Sequence, residues 1–292
     1  MVVHGGDLFH RPQVVPSLVY QAFKSLLKIA DAGIPVFVVP GNHERSRIPH
    51  ARFARNPNLH IFHRPGTKAL RVRGHKVAVS GFPYQRRRIR EDFLRVLEDT
   101  QWRLEAAEMR LLCIHHCVEG ATVGPSGFTF RDANDVIRCQ DLPDEFGAVL
   151  SGHIHRQQVL RQSLSGRPLP TPVLYPGSVE RTAFAEKDEE KGTLIMELEP
   201  SGSGGELLRY ESCPLPSRPM LVRDLIPETS AGSQWAPGDL LAQLQRTITA
   251  VPRDSVLRIR VHGPVPPGAR KVVSGSRLRD LSPSEMNLEV LL

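Results

Sequence analysis

One pattern constrains this chain more than any other, and it occurs four times. A short apolar run stops near a glycine or a histidine and hands polar, metal-competent side chains to a loop. Residues 36–39 lead into Pro40-Gly41-Asn42-His43-Glu44, and Val2-Val3 leads into Gly5-Gly6-Asp7. Residues 111–114 lead into His115-His116, and residues 148–150 into Ser151-Gly152-His153-Ile154-His155. A β-branched run closed by Pro, Gly or Asn reads as a buried strand that ends abruptly. In open α/β sheets, ligands bind beyond the carboxyl ends of the strands. Each cluster alone has an ordinary reading: Asp7 as a helix cap, His115 or His116 as an interior histidine, His153 and His155 as turn residues. Four strand ends of one character point to a shared site.

The intervening sequence fits an α/β fold. Val15, Leu18, Val19, Phe23, Leu26, Leu27 and Ala30 recur at helical spacing, so residues 15–32 form an amphipathic helix that ends near Gly33. Strand, helix and strand 35–39 make a βαβ crossover, which requires a parallel sheet. Residues 59–62, 68–72 and 75–80 read as short strands. A charged helix is expected over 86–109, with Ile89, Phe93, Leu94, Val96, Leu97, Trp102 and Leu104 as its buried stripe. Segments near 159–160, 173–175, 193–198 and 207–210 predict a second, largely antiparallel sheet. Two facing sheets with outer helices would bury this many strands. Pro, Ser and Arg cluster at 214–219, which places a boundary between a domain at 1–215 and a small α+β domain at 216–292. The latter reads as a strand at 220–225, a helix near 238–250, a strand at 256–262, a Pro/Gly-rich loop and a strand at 287–291.

Composition narrows the class. At 292 residues and 40% hydrophobic, the chain holds one large domain or two ordinary ones. No apolar stretch approaches the roughly 20 residues that span a bilayer, and the first residues are not a signal peptide. Four cysteines without a second Cys-x-x-Cys element read as free thiols in a reducing compartment, hence the cytoplasm. The net charge of +7, mostly from arginine, suits a polyanionic partner, and it equally suits an arginine-rich surface. The run Arg86-Arg87-Arg88-Ile89-Arg90 carries the same two readings, a solvated helix face or a phosphate-contacting patch.

Asp7, Asn42, His43, His115, His153 and His155 together form a mixed oxygen and nitrogen donor set. Such a set suits divalent manganese, iron or zinc and excludes a calcium site built on oxygen alone. Histidines at i and i+2 of an extended segment project to one side, so His153 and His155 can face one cavity.

These motifs resemble the second to fifth motifs of the calcineurin-like metallophosphoesterases. The stretches Gly5-Gly-Asp-Leu-Phe-His-Arg-Pro12 and Tyr175-Pro-Gly-Ser-Val-Glu-Arg-Thr182 further resemble the SbcD-type DNA repair nucleases. The resemblance implies a two-sheet αββα sandwich with a small α+β capping domain at the C-terminal end. It also implies two divalent ions, usually manganese. Asp7 would bridge them, Asn42, His115 and His153 would bind one, and His155 the other. His43 would touch the scissile phosphate and protonate the leaving oxygen. His115 is taken as the ligand and His116 as the fallback. DNA is the implied substrate, contacted by Arg86, Arg87, Arg88 and Arg90, and further by Arg258, Arg260, Arg270 and Lys271. An SbcC-type ATPase is the implied partner, in a complex that contains a homodimer and no membrane component.

The family's first motif, Asp-x-His, is not present ahead of Asp7, and His4 lies on the same strand end and does not replace it. The expectation is an N-terminally truncated reading of a longer protein, in which one metal is held poorly. Three functions follow: a DNA-end exonuclease/endonuclease, a small-substrate phosphodiesterase or phosphatase, or a catalytically impaired DNA-binding fragment.

Overall fold

Apolar side chains alternate between both faces of the strands, and this alternation builds the larger part of the molecule in four layers. The computed structural model describes residues 1–11, 13–44, 55–202, 204–227 and 234–292. Two units are distinguished, one of residues 1–180 and 189–215, the other of residues 181–188 and 216–292.

In the larger unit, Val2–His4, Val36–Val38 and Leu59–Ile61 form a parallel three-stranded sheet in that order. Val36 and Val38 face the helix Pro16–Asp31 and pack on its Val19, Phe23, Leu26 and Ala30. Phe37 and Val39 point the other way, into the core shared with a six-stranded sheet. That sheet runs Gln158–Gln162, Pro168–Tyr175, Ala148–Ser151, Met109–Ile114, His75–Gly81, Gly66–Val72. Its four central strands are parallel and its two edges antiparallel. Met109, Leu111 and Cys113 enter the inter-sheet core. Leu112 and Ile114 enter the opposite one, under Ile89, Phe93, Val96 and Leu97 of the helix Ile89–Glu98. Strands buried on both faces read as continuous apolar runs, which is why these segments are so apolar. The layers are therefore helix, sheet, sheet, helix, the expected αββα sandwich.

Two expectations need correction. Residues 158–162 and 168–175 do not belong to a separate antiparallel sheet. Pro168–Tyr175 pairs in parallel with Ala148–Ser151, because Val173 and Tyr175 are buried on one face and Leu174 on the other. Of the segments expected in that sheet, Gly192–Glu199 and Glu206–Pro214 form a separate antiparallel hairpin, which adds Leu194, Met196, Leu198 and Leu207 to the inter-sheet core. The charged helix is also shorter than 86–109. It spans Ile89–Glu98 and is followed by one 3-10 turn, Trp102–Leu104. Arg88 and Gln101 hold φ of 58° and 57°, a left-handed conformation that a right-handed helix cannot cross. Leu94 and Leu104, assigned to its buried stripe, are exposed.

The smaller unit has three parallel strands, Met220–Leu225, Val256–Val261 and Asn287–Leu291. The helix Pro237–Thr249 buries Leu240, Leu244 and Ile248 against Leu257, Ile259 and Val261. The segment read as a Pro/Gly-rich loop contains two short helices, Pro267–Arg270 and Gly275–Leu281. Pro267 opens the first of them, where its missing N–H has no intrahelical partner to lose. Among the described residues, no helix is long and apolar enough to cross a membrane.

The orientation of the Ile89–Glu98 helix is testable by urea unfolding. Phe93→Ala, at a fully buried position, is expected to cost about 3–5 kcal/mol. Leu94→Ala, on the exposed face, is expected to stay within about 0.5 kcal/mol. Equal losses would contradict this packing.

Candidate metal centre

The carboxyl ends of strands from both sheets meet at one place. Val2–His4 exits through Gly5-Gly6 into Asp7, and Val36–Val38 exits towards Gly41-Asn42-His43. Met109–Ile114 and Ala148–Ser151 exit into His115 and towards His153. The approach is close enough to require glycine at two points. A Cβ at Gly152 would overlap the Gly5 carbonyl, and one at Gly41 would overlap the Asp7 carboxylate.

His115 is fully buried, and its Nδ1 lies 2.5 Å from the carbonyl oxygen of Gly5. A carbonyl only accepts, so Nδ1 carries the hydrogen and a neutral His115 turns a bare lone pair outward on Nε2. That Nε2 is 3.2 Å from Asp7 Oδ2 and 3.0 Å from Asn42 Oδ1. Asn42 Oδ1 also lies 3.0 Å from Nδ1 of His153. Ligating atoms of Asp7, His115 and His153 fall within 4.8 Å of one another. Electron-rich atoms at this spacing need a cation among them, either a second proton on His115 or a metal ion. A carboxylate, an amide oxygen and two imidazoles, one of them oriented by a backbone carbonyl, fit a divalent transition metal.

A model of the family described as calcineurin-like phosphoesterase matches residues 1–157, more than half of the chain. The chain belongs to this family. Three curated relatives are each named DNA double-strand break repair protein Mre11. The relative from Methanococcus maripaludis is 26% identical over 205 residues, which is 65% of this chain and 49% of that protein. The one from Archaeoglobus fulgidus is 26% identical over 198 residues, 63% of this chain and 42% of that protein. The one from Methanocaldococcus jannaschii is 26% identical over 219 residues, 71% of this chain and 52% of that protein. The chain thus spans about half the length of the curated relatives it matches.

Within this phosphoesterase, the other expected site residues are placed as follows. Asp7 stands at φ 54°. Its Oδ1 accepts from the amide of His43 at 3.0 Å. Burial pushes its pKa up, but the bonds from His115 and His43 outweigh burial and hold it below the ordinary carboxylate value. His43 is bonded through Nδ1 to the carbonyl of His10, 2.5 Å away, and its Nε2 is 3.9 Å from Asp7 Oδ2. Its side chain is 32% exposed. His155 is not one of the three clustered ligands. The extended segment expected there is absent, because His153 takes φ 76° and Ile154 is buried in the core. The His155 carbonyl accepts from the Ser178 amide (3.1 Å) and the buried Lys191 ammonium (3.0 Å).

His116 sits beside the cluster and plays a different part. Its Nε2 accepts from the Gln85 amide at 3.0 Å, and its carbonyl accepts from the hydroxyls of Ser151 and Tyr175. Burial, then the neighbouring His115 and His153, hold it well below the ordinary histidine pKa. Three participants went unread in the sequence. Tyr84 stacks on His116 at 4.8 Å and lies within 6.0 Å of the His115 and His153 rings. It follows the strand His75–Gly81, so a fifth strand end was there to be read. Glu44 is 5% exposed and accepts three backbone N–H bonds. Burial chiefly, and then the Asp7 charge, raise its pKa. Lys191 is buried, and it pairs with Glu189 at 3.1 Å.

The arginine run divides. Arg88 pairs with Glu91, and Arg90 donates to the carbonyls of Arg131 and Val136. Arg86 and Arg87 are exposed, and no ion pair holds them among the described residues. In the smaller unit, Arg258 pairs with Glu289 (2.7 Å) and Arg260 with Asp224 (2.9 Å). Arg270 donates to the Val265 carbonyl.

Burial foremost, and then the nearby His115, hold His4 and His153 down to about 4 from 6.5. Both are neutral near pH 7, the form a metal requires. Well above pH 6.5 neither the folded nor the unfolded chain binds protons at these rings. Below it, the unfolded chain binds protons that the native chain refuses. With metal chelated, the denaturation midpoint is expected to fall as pH drops from about 6.5 to about 4. His153→Asn is expected to remove part of that slope. A midpoint flat across this window would contradict the assigned burial.

Proposed function

We propose that this phosphoesterase is a divalent-metal-dependent nuclease that hydrolyses phosphodiester bonds at DNA ends. The observation that carries the reading is the convergence of Asp7 Oδ2 (3.2 Å) and Asn42 Oδ1 (3.0 Å) on His115 Nε2, while the other ring nitrogen is engaged by the Gly5 carbonyl. Asp7, Asn42, His115 and His153 would hold one ion and His155 would serve a second, manganese being the metal assigned. Bound there, the metal supplies Lewis-acid charge on a phosphoryl oxygen and lowers the pKa of a coordinated water.

The chain's own residues account for the rest. The Gly5 carbonyl fixes the tautomer and direction of His115. The His43 amide steers Asp7, and the bond from His43 Nδ1 to the His10 carbonyl leaves Nε2 3.9 Å from Asp7 Oδ2. When doubly protonated, that ring donates from Nε2 to the departing oxygen, a role worth roughly 10²–10⁴-fold in rate. Arg86 and Arg87, exposed and without an ion pair among the described residues, are the guanidinium groups offered for phosphate contact, which gives salt-sensitive, sequence-independent affinity. The DNA-repair names of the relatives support DNA as substrate. The resemblance of the Tyr175-Pro-Gly-Ser stretch extends the proposal to an SbcC-type ATPase partner and a homodimer.

The test compares linear duplex DNA with a chromogenic phosphodiester in Mn2+ at rising salt. Duplex cleavage is expected to weaken steeply with salt and to fall by about 10²–10⁴-fold in His43→Ala while metal is retained. Equal, salt-insensitive turnover of both substrates would instead identify a small-substrate phosphodiesterase. Bound metal with no cleavage by the unsubstituted chain would identify a DNA-binding fragment.

A further inference from the structure

We propose that Glu44 is a positioning residue that holds the exit loops of the first two strands of the three-stranded sheet together and so sets Asp7 and Asn42 in place. The inference rests on the metal reading of the site. One Glu44 oxygen, Oε2, accepts from the amides of Asp7 (2.8 Å) and Gly41 (2.6 Å). The other, Oε1, accepts from the amide of Phe9 at 3.2 Å. Asp7 and Phe9 belong to the loop after Val2–His4, and Gly41 immediately precedes Asn42 in the loop after Val36–Val38.

Three features give this carboxylate its role. It is nearly fully buried, and no basic side chain pairs with it among the described residues. The three N–H groups gather around it in the manner of a backbone anion nest. Asp7 stands at φ 54°, a left-handed conformation uncommon outside glycine, which Asp tolerates when its neighbours hold it. The bond from its amide to Glu44 holds it, and the Asp7 carboxylate then meets His115 Nε2. Finally, both loops hang on one side chain, so a displacement of Glu44 moves a carboxylate ligand and an amide ligand at once.

A carboxylate is required because it offers acceptors only. A glutamine side chain at this position would keep the volume, but one of its two terminal atoms would be an NH2 group facing an N–H donor.

The test uses the full chain with Glu44→Gln, and Glu44→Asp as a second variant. Mn2+ affinity is read from free-ion electron paramagnetic resonance. Amide hydrogen exchange is read on the metal-free protein, and a urea midpoint monitors the fold. Glu44→Gln is expected to bind Mn2+ roughly 10–100-fold more weakly. Its exchange is expected to quicken at residues 5–10 and 40–44 while the core strands keep their protection. Wild-type affinity and exchange in a folded Glu44→Gln protein would overturn the proposal. Should Glu44→Gln fail to fold, Glu44→Asp carries the same reading, because its shortened carboxylate cannot reach all three amides. A wild-type chain that binds no Mn2+ overturns the metal reading. The exchange comparison still judges Glu44 in that case, and equal rates overturn its positioning role.

Discussion

The imidazole of His115 donates to the Gly5 carbonyl across the junction of two sheets, and the rest of the site depends on that bond. His115 ends a central strand of the six-stranded sheet, and Gly5 ends a strand of the three-stranded one. The sheets are held face to face by Phe37, Val39, Leu111, Cys113 and Leu150, whose burial excludes water from between them. Packing thus sets the separation, and a single hydrogen bond turns that separation into a chemical state. It fixes which nitrogen of His115 is protonated, and therefore which lone pair faces Asp7 and Asn42. Glycine at 41 and 152 permits the approach, since a side chain at either position would occupy the space of a partner.

The electrostatics of the centre follow from the same closeness. Two carboxylates, Asp7 and Glu44, stand within one hydrogen-bonded network, and their environments drive them apart. Asp7 faces imidazole and is held below the ordinary carboxylate range, whereas Glu44 accepts from three backbone amides and is raised chiefly by burial and then by the Asp7 charge. The histidines are pushed towards neutrality by burial and by one another. A neutral His153 near the ionised Asp7 carboxylate makes the cluster electron-rich and ready for a cation.

Much of this was legible in the residues. The strand-end clusters announced themselves because Gly, Asn and His are poor strand residues placed after strongly apolar runs. The αββα layering followed from the number and spacing of those runs. What remained hidden has physical reasons. The partners of Glu44 are backbone N–H groups, which leave no side-chain signature. Tyr84 follows a strand end without any ligand beside it, so aromatic stacking on His116 had no pattern to betray it. The pairing of Pro168–Tyr175 with Ala148–Ser151 is a long-range choice between sheets, and alternation alone does not encode it. Grouping His155 with His153 on one cavity assumed an extended segment, and the left-handed turn at His153 removes that premise. Helical spacing also overran Gln101, because a left-handed residue outside glycine carries no sequence mark.

This phosphoesterase is thus a scaffold of two sheets whose strand ends compose one polar centre, with His43 beside Asp7 and the buried His116 next to His115. The central claim is that Asp7, Asn42, His115 and His153 coordinate one divalent ion. A crystal of the chain soaked in Mn2+ and measured for anomalous scattering tests this most directly. The expected result is a peak bonded to Asp7 Oδ2, Asn42 Oδ1, His115 Nε2 and His153, with His116 left outside the coordination sphere. A peak on His116, or none at this junction in a crystal saturated with Mn2+, would contradict it.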